Sequence, residues 1–174
     1  QLQKHFDNPA RFTYSVAESS FDTWLDGYVA GAPGRKVSIY TEGCLLAFVT
    51  DVMILKATAN KYGLDEVMKR LFFNYAQKGR GVSENDYKAE LEAICGHSFN
   101  DFFRDFIHGT SPYEAIITEA LEYLGLELKH FPSRSFAAGR LGFKFFPTGQ
   151  NFLVTAMYPG GPAELGGLML NDEI

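Results

Sequence analysis

Four histidines (His5, His97, His108 and His130) and two cysteines (Cys44 and Cys95) are the side chains of this sequence best suited to hold a metal or act as base or nucleophile. No histidine lies three or four residues from another, so none can pair on one helical face in the H-E-x-x-H manner. They read instead as surface or helix-cap residues, with His97 and His108 beside the helix-stopping Gly96 and Gly109. The cysteines lack C-x-x-C spacing and fall at apolar positions of separate helices, where each reads as a small buried hydrophobe. There is no G-x-S-x-G elbow, no Cys/His pairing signal and no phosphate-binding glycine loop. No metal ligands are therefore assigned within this chain. What remains is "VSIYTEGCLLAFVTDVMI", residues 37–54, which sets Tyr40, Glu42 and Asp51 into an otherwise apolar run. A tyrosine in the first turn of a helix can project its phenol beyond the helix end as a neutral donor; the alternative is a core tyrosine satisfied internally. Asp51 reads as a partner for an arginine or as the cap of a neighbouring segment.

The elements that must position these residues are mostly helical. Ser19-Ser20-Phe21-Asp22 has the capping-box pattern and leads into a helix with Phe21, Trp24, Leu25 and Tyr28 on one face. A Gly/Pro loop, "VAGAPGRK", follows, and Ser38 is placed to cap a helix running from Ile39 to about Asn60. That helix is apolar nearly all round, which predicts a place at the centre of a bundle. Leu64, Val67, Met68, Leu71, Phe72 and Tyr75 mark an amphipathic helix. Ser83 to Asp86 cap the next, whose stripe is Tyr87, Leu91, Ile94 and Cys95 and whose stop is Gly96. Phe99, Phe102, Phe103, Phe106 and Ile107 form a further face, read as core rather than as an aromatic ligand pocket. Ser111 as cap and Pro112 at the first helical position open a last helix, ended by Gly125.

After Gly125 the period changes to two. "LELKHF", "LGFKFF" and "NFLVTAMY" are strand-like, with Pro and Gly at the breaks. The fold class is thus mainly α: an α-helical domain over residues 1–125, followed by a β-rich module over 126–174.

Composition narrows the function. With 46% hydrophobic and 15% aromatic residues the chain folds rather than remaining disordered. The net charge is 16 minus 21, or −5, and the basic residues are scattered, which argues against a nucleic-acid partner. The longest uninterrupted apolar run, Cys44 to Val49, is far short of the ~20 residues that span a bilayer, so no membrane partner is expected. A soluble chain follows, cytoplasmic or periplasmic.

Leu141-Gly142-Phe143, Gly161-Pro162-Ala163, Gly166-Gly167-Leu168 and Asn171-Asp172-Glu173-Ile174 resemble, in that order, a PDZ domain of the bacterial protease-associated kind. Gly161 and Asn171 depart from that pattern's serine and glycine. The resemblance implies a groove that takes a peptide as an added strand, with Arg140, Leu141, Gly142 and Phe143 cradling its terminal carboxylate. Ile174 would precede the second groove wall, so a truncated PDZ is expected; a hairpin that only packs on the helical part is the alternative.

The ordered set "NPARFTYSVAESSFDTW", "SIYTEGCLLAFVTDVMI", "LDEVMKRLF", "VSENDYKAELEAICG" and "DFFRDFIHGT" resembles the C-terminal part of the glycyl aminopeptidase family of zinc metallopeptidases, of the thermolysin-like clan. Its sharpest elements are the Ser-Phe-Asp-x-Trp box at Ser20 to Trp24 and the Tyr-x-x-Gly box at Tyr40 to Gly43. The resemblance implies zinc in a parent protein, with ligands upstream of Gln1, so that this fragment binds none and is inactive alone. It implies that Tyr40 donates to the scissile carbonyl, that Gly43 leaves room for substrate, and that substrates are peptides with small N-terminal residues such as glycine. The partner would be the upstream catalytic domain of the same polypeptide. Glu42 stands where that family usually has lysine. The competing expectation is a non-catalytic interaction module, a helical part plus a peptide-binding PDZ half.

Overall fold

The computed structural model describes residues 1–21, 23 and 36–174. Asp22 and Trp24 of the Ser20 to Trp24 box, together with Leu25, Tyr28 and most of the Gly/Pro loop, lie outside the described residues. The chain separates into two compact units, Gln1–Glu42 with Lys129–Ile174, and Gly43–Leu128. The change of period at Gly125 thus falls close to one cut, while the first 42 residues gather with the β-containing segment.

In the first unit, α1 (Leu2–Asp7) is followed by a 3-10 turn (Pro9–Phe12) whose Asn8 cap accepts from the Ala10 amide at 3.0 Å. Helix α2 (Val16–Phe21) begins one turn earlier than the Ser19 pattern predicts. Ser15 and Glu18 supply the capping box: the Ser15 hydroxyl accepts from the Glu18 amide at 3.1 Å, and the Glu18 carboxylate accepts from the Ser15 amide at 2.9 Å. Ser19 is consequently buried inside the helix.

The strand expected at residues 126–131, a stretch that crosses the cut between the units, does not form. Leu126 and Phe131 are both exposed, and an alternating pattern with no face to bury makes no sheet. The loop expected before Gly142 instead holds a π-helical turn (Ala137–Leu141). β1 (Phe143–Thr148) and β2 (Asn151–Met157) pair antiparallel from Phe143↔Met157 to Thr148↔Asn151, with a bulge after Lys144. Gly149 takes φ +71° in the two-residue turn between them. Residues 171–174 add backbone bonds to β2, including Phe152 N to Ile174 O at 2.8 Å. Phe143, Val154, Met157 and Ala137 form the core here, with Leu141, Ala163, Leu168 and Leu170 packed on it. Gly142 has φ +80°, and an added Cβ would lie 3.2 Å from Gly161 Cα, so this crossing tolerates only glycine.

Helix α3 (Ile39–Ala57) starts where the Ser38 cap predicts and passes into the second unit. It is not buried all round: Leu45, Leu46, Val49, Val52 and Ile54 are core, whereas Tyr40 and Cys44 are exposed. Cys44 is therefore no buried hydrophobe, and Cys95 is only partly covered. α4 (Leu64–Asn74), α5 (Glu84–Cys95), α6 (Asn100–Phe102), a π-helical turn (Phe103–Ile107) and α7 (Glu114–Tyr123) complete this unit. Ser83 and Asp86 make the reciprocal cap of α5, and Gly96 closes it at φ +74°. Asp51 caps α4, accepting from the Leu64 amide at 2.7 Å. α7 opens at Glu114 without the expected Ser111 cap; the Ser111 amide instead closes on the Asp105 carbonyl at 3.1 Å, and the buried Tyr113 stands at the helix start. The phenylalanines of the aromatic face divide accordingly: Phe99, Phe102 and Phe103 are core.

Candidate functional site

The first turn of α3 has a presented side and a held side. Tyr40 is 69% exposed, whereas Thr41 and Glu42, the next two residues, are buried. Successive helical residues point about 100° apart, so a phenol that faces water is compatible with neighbours that face the core. The Ser38 hydroxyl accepts from the Thr41 amide at 3.3 Å, and the Ser38 carbonyl accepts the first helical bond, from Glu42 N at 2.9 Å.

The held side is fixed by the first nineteen residues. His5 Nδ1 lies 2.7 Å from Glu42 Oε2, with both side chains only 2% exposed. The Thr41 hydroxyl donates to Gln1 Oε1 at 3.3 Å, Asn8 Nδ2 donates to the Lys36 carbonyl at 3.1 Å, and the Val37 amide donates to the Ser19 hydroxyl at 3.1 Å. Arg11 Nη1 stands 3.5 Å from His5 Nε2. A guanidinium can only donate, so this arrangement leaves the Nδ1 proton for Glu42. His5 is thus neither a surface nor a cap residue. It is buried because Glu42, placed in the core by the helix register, needs a donor there.

A cleft of about 270 Å³ opens beside Tyr40, lined by Asn8, Thr23, Lys36 and Ser38 among others. What this arrangement could do chemically is donate a hydrogen bond from a phenol carried on a tethered helical turn. Gly43 lies one turn further along α3; a Cβ built on it meets no atom within 4 Å among the described residues.

Arg140, Leu141, Gly142 and Phe143 do not line that cleft. Arg140 is exposed, Leu141 and Gly142 are half-buried, and Phe143 belongs to the carboxyl-terminal core. The Gly142 amide donates to the Ala137 carbonyl and its own carbonyl accepts from Tyr158 N at 2.8 Å, so both backbone groups of this glycine are engaged. Among the described residues no group of three or more His, Cys, Asp or Glu side chains could hold a metal ion, and none of the helices is long and apolar enough to cross a membrane.

The sequence placed Tyr40 in the first turn after a Ser38 cap, as observed, but gave His5 no part in that turn. The only available signal was Glu42 itself, since a carboxylate in an apolar turn must find a donor; its spacing of 37 residues from His5 carries no local pattern.

A family model described as M61 glycyl aminopeptidase matches residues 1–46. The matched window contains every tether just described and ends shortly after Gly43. It supports a relation of this region to that peptidase family, and a parent protein that is a peptidase. A search of the curated proteins gives no match.

Proposed function

We propose that this chain supplies the transition-state-stabilising tyrosine of a zinc-dependent aminopeptidase whose metal ligands lie outside these 174 residues. The observation that carries the proposal is Tyr40: an exposed phenol on an anchored helical turn, inside the window matched by the peptidase family. As a peptide bond is attacked, its carbonyl oxygen gains negative charge, and the hydrogen bond from a neutral phenol strengthens with that charge. The donor must already be in place, because reorientation during the reaction would cancel the gain. One such donor is typically worth ~3 kcal/mol, or roughly a hundredfold in rate.

Substrates in this reading are peptides with a small N-terminal residue, glycine above all, and Gly43 leaves space next to the phenol for the substrate chain. The carboxyl-terminal segment is read as part of a PDZ module, with Arg140 to Phe143 at its peptide-facing loop. The test is Tyr40→Phe in the full-length protein, assayed on a glycyl anilide. Turnover should fall about a hundredfold with folding intact; turnover equal to the unaltered protein would remove the catalytic assignment and leave a non-catalytic interaction module.

A further inference from the structure

We propose that His5 and Glu42 are positioning residues for Tyr40, a role that rests on the catalytic reading of that tyrosine. Their bond, at 2.7 Å, is shorter than the other tethers named above between the amino-terminal segment and the entry to α3, and both partners are only 2% exposed. It spans 37 residues of sequence and lands two residues past Tyr40. The other tethers among the described residues engage residues 36, 37 and 41, so the backbone is held on both sides of residue 40, whose side chain is 69% exposed. A buried pair of this kind is a weak source of net stability, because desolvation of the two groups offsets their attraction. What it does supply is direction: a 2.7 Å bond between two planar groups sets the rotation of α3 about its own axis far more narrowly than apolar packing, which tolerates shifts of volume-equivalent side chains. Rotation of the first turn moves a long side chain such as Tyr40 by the largest amount at its tip, where the hydroxyl sits.

Glu42 also stands where lysine is usual in the family this region resembles. A lysine could not accept the proton of His5, so this chain holds the turn through a partner chosen to suit the carboxylate.

The test is a cycle in the full-length protein. His5→Leu with Glu42→Leu replaces the pair by apolar groups of similar volume, a change that buried ion pairs often survive with stability intact. Hydrolysis of a glycyl anilide by this double variant should show kcat lowered roughly tenfold or more, since misplacing a catalytic group by about 1 Å can cost a hundredfold, with KM unchanged. The same pair of substitutions placed in Tyr40→Phe should lower kcat no further, because the group being aimed is already gone. His5→Asn, whose amide can offer a donor near the position of Nδ1, should restore most of the turnover. Unchanged kcat in the double variant, an equal loss in the Tyr40→Phe background, or loss of folding would each overturn the positioning role. Should Tyr40→Phe itself turn over normally, it is the catalytic reading that fails, and the cycle tells the two failures apart.

Discussion

At the scale of single residues, polar groups inside apolar helices divide into those that cap and those that are presented. Asp51 is of the first kind: its carboxylate accepts from the Leu64 amide, and Gly63 permits the approach, because a Cβ there would stand 2.8 Å from Asp51 Oδ1. Asp51→Ala should lower stability by about 1 kcal/mol, measured by chemical denaturation, whereas Asp51→Asn, which keeps an acceptor, should lose less. Gly43 gives the opposite sign. Its φ is not left-handed and nothing among the described residues approaches it, so Gly43→Ala should raise the stability of the chain by about 1 kcal/mol through helix propensity. If substrate passes over that face, the same change lowers kcat/KM in the full-length protein while the melting temperature rises. Both positions were legible in the sequence, since a carboxylate and a glycine in an apolar helix are local signals. The partner of Glu42 was not, because tertiary pairing across 37 residues leaves no periodic trace.

At the scale of elements, the last turn of α1 is braced by two contacts. His5 meets the start of α3, and Asp7 meets the β1–β2 hairpin: Lys144 Nζ lies 2.8 and 2.7 Å from its two oxygens, and the Tyr158 hydroxyl donates to Oδ1 at 2.7 Å. Burial would raise the Asp7 carboxyl, but hydrogen bonds from Lys144, Tyr158 and Gln3 outweigh it and hold the group below the usual carboxylate range. Burial and the bond to Asp7 push the Tyr158 phenol up. A depressed acid contributes stability above its unfolded value and loses it as pH falls; a raised phenol contributes below its unfolded value and loses it as pH rises. The clasp should therefore add a constant increment between about pH 4 and pH 10 and fade outside that window. Asp7→Asn should flatten the acid limb of a stability-against-pH curve; an acid limb identical to that of the unaltered chain would show that the clasp adds nothing. Elements such as the hairpin and the caps of α3 and α5 were readable because turn glycines and capping pairs act within a few residues. The start of α2 and the absent strand at 126–131 were not, because there two local patterns compete or a pattern lacks a surface to bury.

At the scale of the whole molecule, the units Gln1–Glu42 with Lys129–Ile174 and Gly43–Leu128 each carry a core, and the peptidase match covers residues 1–46. If zinc ligands lie outside these 174 residues, as proposed, calorimetric titration of this chain with zinc should show no tight site, and a chelator should leave its melting temperature unchanged. One zinc bound per chain at sub-micromolar affinity would contradict that arrangement. The central claim, however, is that Tyr40 acts on the transition state rather than on the substrate. Its most direct test is the affinity of the full-length protein for a tetrahedral phosphinate analogue of a glycyl peptide, compared with that for an unreactive glycyl peptide, in the presence and absence of the phenol. Tyr40→Phe should weaken the phosphinate about a hundredfold and leave the peptide unaffected; equal weakening of both, or of neither, would contradict it.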